Sequence, residues 1–325
     1  MIDPRNLAVL ALWLAGRVAC DGAPLRIESS LDAMGSTFTV VAYGEDRNLL
    51  QSAVDLSFEE VKRLDELLSN YQPRSEWSKV NRDAAEHPVR VSPELFRVIE
   101  FCLDYSRISE GAFDITVGPL VRAWGFFKGS GRFPHRAEIR AALDKVGYQH
   151  VDLDRSNLTV RFVKPGMEID PGGIGKGYAV DRIVGILKGL GIRSALVSAG
   201  GSSIYGLGAP PDEKGWKVRI RDPKKEGKTV SEVILNDNSM STSGTSEKFF
   251  VSGGKVYSHI FDPRTGFPAP GMLSVSVVAP RTLDSEAWTK PIFILGRAWA
   301  KGHLPQGFRA FFCEDRPETP CAWLP

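Results

Sequence analysis

Residues 168 to 181 read EIDPGGIGKGYAVD, so four glycines and one lysine lie between Asp170 and Asp181 at the head of a helical pattern. Glycines let backbone N–H groups come close to an anion, the following helix presents its positive end, and Lys176 adds a full charge. This composition suits the binding of a diphosphate. The stretch is neither of the two familiar glycine loops. A P-loop asks for Gly-Lys-Ser/Thr, whereas Lys176 is followed by Gly177; a dinucleotide fingerprint asks for Gly-x-Gly-x-x-Gly, whereas Gly173, Gly175 and Gly177 alternate. Taken alone, the segment reads equally well as a tight turn and helix cap.

Three further segments carry unusual residues in the same chemical sense. Residues 109–126, SEGAFDITVGPLVRAWGF, hold Gly111, Phe113, Asp114, Pro119, Trp124 and Gly125. Residues 257–268, YSHIFDPRTGFP, place His259 and Asp262 before a Pro-Arg-Thr-Gly turn, and residues 71–81, YQPRSEWSKVN, open with an aromatic and a turn. The bland readings are a histidine satisfied in a strand-end turn for His259 and helix caps for Asp114 and Asp170.

With MGSTF at Met34 and STSG at Ser241, these segments stand in the order of the ApbE-type FAD:protein FMN transferases, which the chain resembles from about Met34 to Gly296. The resemblance implies transfer of FMN from FAD to a threonine or serine of a target flavoprotein, the hydroxyl attacking the FMN-side phosphorus and AMP leaving. By the same resemblance Met34 and Tyr71 line the flavin or adenine sites, Ala112, Phe113 and Asp114 hold FAD, and Asp170, Lys176, His259 and Ile260 complete the cleft. His259 is the candidate catalytic base, because a neutral imidazole takes a hydroxyl proton well near neutral pH. Two other functions fit the same resemblance: a non-catalytic FAD-binding protein, and an FAD diphosphatase giving FMN and AMP.

The departures from the family pattern concern charge. Family members hold magnesium with a glycine-loop carbonyl, here that of Gly173, plus an Asp and a Thr four residues apart. Aligning on the run that ends FILG puts Glu286 and Lys290 at those two positions. A protonated lysine has no lone pair to offer a metal. Three outcomes follow: Lys290 itself supplies positive charge to the diphosphate and pairs with Glu286; the register is offset and Asp284 with Thr289 binds the metal; or the site is degenerate and only retains FAD. VSAGGS also stands where the family shows VNAGGD, so Ser198 and Ser202 replace an amide and a carboxylate, and Ser246 replaces an aromatic.

Composition sets the frame for these motifs. With 325 residues, 42% hydrophobic and 25% charged, the chain can bury a full core. The formal charge of +2 and the scattered Lys and Arg form no nucleic-acid stripe. At the N-terminus Arg5 precedes a mostly apolar run from Leu7 to Gly16, then small residues to Cys20. That run is shorter than the ~20 residues of a spanning helix but has the length of a signal-peptide core, so residues 1–24 are expected to be a signal segment and the protein exported, periplasmic or membrane-anchored. Cys20 is a candidate lipidation point, although Arg17 departs from a lipoprotein signal; a plain cleaved signal and a buried first helix stay open. Cys313 and Cys321 flank the turn-rich EDRPETP and are candidates for a disulfide across a terminal hairpin, while free thiols are the alternative. Cys102 reads as core.

Apolar spacing predicts helices over Asn48–Leu68, 93–107 (Ser92 capping, Pro93 in the first turn), Arg136–Val146, Gly177–Leu190 and Ser285–Leu295. Strands are expected at Thr37–Tyr43, in a hairpin of Val151–Asp154 with Leu158–Phe162, and in WKVRIRDP, SEVILNDNSM, EKFFVSGGKVYSHIF and SVSVVAP; SALVSAGGSSIYGLG reads as one buried strand entering a flexible turn. No linker or repeat divides residues 25–325, which are expected to form a single compact unit. The resemblance implies the family's α+β, T-fold-like fold, with mixed or antiparallel sheets flanked by helices.

Overall fold

The computed structural model describes residues 23–325. Its centre is an eight-stranded sheet of β1 (Leu25–Ala33), β2 (Ser36–Gly44), β3 (Ser194–Ala199), β4 (Ser203–Leu207), β5 (Asn238–Gly244), β6 (Met272–Ala279), β7 (Arg309–Glu314) and β8 (Ala322–Trp323). The strands lie side by side in chain order, each antiparallel to the next. Every other segment is an insertion into this meander.

The largest insertion, between β2 and β3, holds α1 (Arg47–Leu68), α2 (Glu76–Asp83), α3 (Pro93–Ile108), α4 (Gly118–Ala123), α5 (Arg136–Leu143) and α6 (Gly175–Gly189). A three-stranded sheet of Val89–Arg90, Thr159–Phe162 and Val151–Asp154 sits among them. Between β6 and β7 runs α7 (Thr282–His303), a helical segment broken at Gly296, whose φ of 78° is open to glycine and costly for other residues. The helix starts follow local chemistry: the Asp46 carboxylate accepts from the Asn48 and Leu49 N–H groups, and the Ser92 hydroxyl from Leu95 N–H.

Strand alternation distributes the core. Phe38, Val40 and Ala42 of β2 face a cluster with Leu50, Val54 and Val61 of α1 and Ile183 and Leu187 of α6, whereas Val41 faces the opposite side. That opposite side is covered by the hairpin Trp216–Arg221 with Thr229–Leu235. Val275 and Val277 of β6 pack on Trp288, Ile292 and Phe293 of α7. Thus α1, α6 and α7 share one face of the sheet, and the starts of α6 and α7 are brought together there.

The observed architecture is the expected α+β arrangement, and its named sheet pairings are all antiparallel. One expected element differs. SALVSAGGSSIYGLG is two strands, β3 and β4, joined by the three-residue turn Gly200–Gly201–Ser202, where the positive φ values of Gly200 and Gly201, 59° and 67°, let the chain reverse. Cys313 and Cys321 are disulfide-bonded across the β7–β8 hairpin, and Cys102 is buried in the main core. The expected signal segment, residues 1–24 with Cys20, lies outside the described residues apart from its last two positions; among the described residues no helix is long and apolar enough to cross a membrane.

Candidate active site

The glycine loop is braced from behind by the segment YQPRSEWSKVN. Trp77 and Asn81 of α2 donate to the Ile169 carbonyl at 3.0 and 2.9 Å, and the Asn81 side-chain oxygen accepts from Ile169 N–H at 2.7 Å. Next to this clamp, Asp170 accepts from Gly172 N–H at 2.8 Å and from the Asn70 amide at 2.7 Å, closing the short turn Pro171–Gly173 that leads into α6. Burial raises the Asp170 pKa, against the lowering effect of those two donors. Space at Gly173 is tight: a Cβ there would lie 3.0 Å from the Phe113 ring, which would have to give by a few tenths of an ångström, and 3.8 Å from Lys290 Cε.

The starts of α6 and α7 cap each other. Asp181 of α6 accepts from the Thr282 and Leu283 N–H groups at 2.7 and 2.9 Å, at the start of α7, and burial raises its pKa. In return Glu286 of α7, 2% exposed, accepts from Gly177 N–H in the first turn of α6. Each carboxylate thus meets the positive end of the other helix. The approach is so close that a Cβ at Gly177 would lie 2.6 Å from the Thr282 carbonyl oxygen.

Two ammonium groups stand beside this junction. Lys176 donates to the Ser202 hydroxyl at 2.6 Å, so Ser202, at the β3–β4 turn, anchors the lysine as a neutral partner. Lys290 donates to the Glu286 carbonyl oxygen at 3.0 Å and lies 3.9 Å from the Glu286 carboxylate. Burial pulls the Lys290 pKa below the ordinary lysine range, opposed by Glu286 and reinforced by Lys176.

His259 sits where the hairpin Phe249–Ser252 with Lys255–Ser258 returns to the body. Its backbone N–H donates to the Lys248 carbonyl at 3.1 Å, and its ring Nδ1 is also 3.1 Å from that oxygen. A carbonyl oxygen only accepts, so Nδ1 carries the proton and the neutral ring keeps its lone pair on Nε2. Burial lowers the His259 pKa, with Glu247 acting in the opposite sense, which favours that neutral form.

Asp114 is buried and fully engaged: it accepts from Thr116 N–H and hydroxyl at 2.8 and 2.7 Å and from Tyr148 N–H at 2.8 Å, while burial raises its pKa. It therefore shapes the 112–118 turn rather than capping a helix. Trp124 ties the same segment to the DPRTGFP turn by donating to the Gly266 carbonyl at 2.9 Å. Tyr71, 47% exposed, stacks on Phe127 at 4.9 Å, and the Arg122 guanidinium lies 3.7 Å from the centre of the Phe127 ring.

Met34, Tyr71, Ala112, Phe113, Asp114, Asp170, Gly173, Lys176, His259, Ile260, Glu286 and Lys290 all line one cleft of about 660 Å³. The offset register is overturned. Asp284 is held by Arg281 and by the Tyr105 hydroxyl, and Thr289 is buried, bonded to Ser243 and to the Glu286 carbonyl oxygen; neither lines the cleft. Asp284 stands two positions before Glu286 and Thr289 one before Lys290, and about 100° per residue turns them to other faces.

Asn70, Glu247 and Lys248 also line the cleft, although no motif in the sequence singles them out, and Ser202 is an anchor in use rather than a lost one. Asn70 directly precedes the YQPR turn, and Glu247 and Lys248 follow STSG closely, so adjacency to the motifs is the signal available for them.

A model of the ApbE family matches residues 34–312. The chain belongs to the ApbE family. Within it, an FAD:protein FMN transferase of Klebsiella pneumoniae is 34% identical over 265 residues, spanning 81% of this chain and 80% of that protein. One from Salmonella typhimurium is 32% identical over 341 residues, spanning 98% and 95%. Among solved ApbE structures, the protein from Thermotoga maritima has a TM-score of 0.83 at 31% identity, covering 90% of this chain and 95% of that one. The apo flavinyl transferase from Pseudomonas stutzeri has 0.81 at 28% identity, covering 92% and 94%.

Proposed function

We propose that this ApbE-family chain transfers FMN from FAD to a threonine or serine hydroxyl of a flavoprotein, releasing AMP. The observation that carries the reading is the placement of His259: its Nδ1 lies 3.1 Å from the Lys248 carbonyl oxygen, which assigns the proton to Nδ1 and leaves the Nε2 lone pair in the same cleft as the glycine loop and its two ammonium groups. The cleft volume falls within the roughly 300–1,000 Å³ of small-molecule sites.

The residues divide the work. Lys176, Lys290 and the N–H groups of the glycine loop neutralise the diphosphate and the charge that builds on the leaving AMP. His259 Nε2 takes the proton of the acceptor hydroxyl as its oxygen bonds to the FMN-side phosphorus and the anhydride P–O bond to AMP breaks. The Tyr71–Phe127 stack and the walls at Phe113 and Ile260 supply apolar surface for ring systems.

Magnesium does not fit the residues present. It asks for about six oxygens at roughly 2.0–2.1 Å. Here one Glu286 carboxylate oxygen is bonded to Gly177 N–H, and the position that would supply the second side-chain oxygen carries Lys290, whose ammonium lies 3.9 Å from the Glu286 carboxylate.

Export to an oxidising compartment, periplasmic or membrane-anchored, belongs to the same reading. The Cys313–Cys321 disulfide and the apolar run from Leu7 to Gly16 support it.

The test is to incubate the protein with FAD and a threonine-bearing acceptor, following AMP by chromatography and covalent flavin by mass spectrometry. AMP and flavinylated acceptor in equal amounts are expected. AMP alone would mark a diphosphatase, and FAD retained unchanged would mark a binding protein.

A further inference from the structure

Lys290 occupies an unusual place for an ammonium. Only 19% of its side-chain surface is exposed, and its three N–H donors find one acceptor at hydrogen-bond distance, the Glu286 carbonyl oxygen at 3.0 Å. The neighbouring carboxylate is a counterion but not a hydrogen-bond partner: Glu286 Oε1 stays 3.9 Å away, and Oε2 is taken by Gly177 N–H. Lys176 stands nearby with a neutral partner, Ser202. The wall between Gly173 and α7 thus holds two cations, one carboxylate already bonded to the start of α6, and donors without acceptors. A recessed site of this kind binds an anion that brings several oxygens.

We propose that Lys290 serves as the resident cation of this site, donating to the FAD diphosphate and making its binding and the transfer independent of a divalent metal. This rests on the transferase reading and deepens it. Lys290 stands beside Glu286 with its Cε 3.8 Å from where a Cβ at Gly173 would lie, so ammonium and metal are alternatives there rather than partners. Glu286 acts differently, because its carboxylate bond from Gly177 N–H and its carbonyl bond from Lys290 hold the cation against α6.

The experiment titrates FAD into chelator-treated protein by flavin fluorescence, with and without added magnesium chloride, and measures AMP release under the same conditions. Wild type is expected to bind FAD with an affinity that magnesium changes by less than about twofold, because the charge is already in place. Lys290→Met is expected to weaken FAD binding by about tenfold or more and Lys290→Arg to retain most of it, since a charge-assisted bond is lost in one and kept in the other. The double variant Glu286→Asp with Lys290→Thr is expected to bind FAD only when magnesium is added. Circular dichroism melting identifies a variant that has merely unfolded, and the wild-type magnesium response decides the matter without any variant.

FAD binding by wild type that requires magnesium overturns the inference while leaving the transferase reading intact. So does wild-type affinity in a folded Lys290→Met. FAD that fails to bind under either condition overturns both.

Discussion

The two walls of the cleft are built differently. The inner wall, where α6 and α7 start, is made of buried groups that bond across elements: Asp181 to the first N–H groups of α7, Glu286 to Gly177 N–H, Trp77 and Asn81 to Ile169. The outer wall, from Tyr71 to the hairpin 249–258, is more exposed: Phe249, Val251 and Val256 are 47%, 61% and 57% accessible, and His259 is held at its ring by one carbonyl. Stability and anion binding therefore reside on one side and proton transfer on the other. In such a division, a chemical group can be replaced without unfolding the frame that aims it.

The sharpest way to break this contrast is His259→Asn. Loss of the base is expected to lower the transfer rate by roughly 10²–10⁴-fold, with FAD affinity and melting temperature nearly unchanged. A matching fall in melting temperature would show that the outer wall also carries the fold. On the inner wall the reverse is expected of Gly177→Ala, whose Cβ would meet the Thr282 carbonyl oxygen at 2.6 Å and push the two helices apart. Overpacking of this kind costs about 1–3 kcal/mol, readable by urea denaturation.

Asp181→Ala removes two N–H acceptors from the start of α7 and is expected to cost about 1–2 kcal/mol in the same assay. The pH profile sharpens the assignment of the base. Burial lowers the His259 pKa, so the base is competent above that lowered value; the rate is expected to rise with pH through a midpoint below the ordinary imidazole value, then level off. An acid limb that persists in His259→Asn would assign it to another group. Smallest of all, Val256→Ser on the exposed hairpin is expected to alter stability by no more than about 0.5 kcal/mol.

Much of this division is legible in the sequence, for identifiable reasons. Motif residues such as Gly173, Lys176 and His259 are local in type and spacing, and all reach the cleft. The long helices are visible in their apolar spacing, as in Leu50, Val54, Val61 and Leu64 of α1. What escapes depends on partners distant in the chain. α2, with the polar sequence EWSKVNRD, is only eight residues long and buries just Trp77 and Val80, too few apolar positions to mark a helix by their spacing. Ser202 reads as a lost anchor because its use, accepting from Lys176, emerges only when the β3–β4 turn meets α6. Asp284 and Thr289 are credible ligands by type, and the turn of α7 alone removes them from the cleft.

Because each of the two inner helices is terminated by a carboxylate belonging to the other, neither start can fray without releasing its counterpart. Such mutual dependence makes the anion end of the cleft a single cooperative unit, set during folding rather than upon ligand arrival. An incoming nucleotide then meets donors already in position, and little of its affinity is lost to ordering them. The entropic cost of precision has been met in advance by the fold.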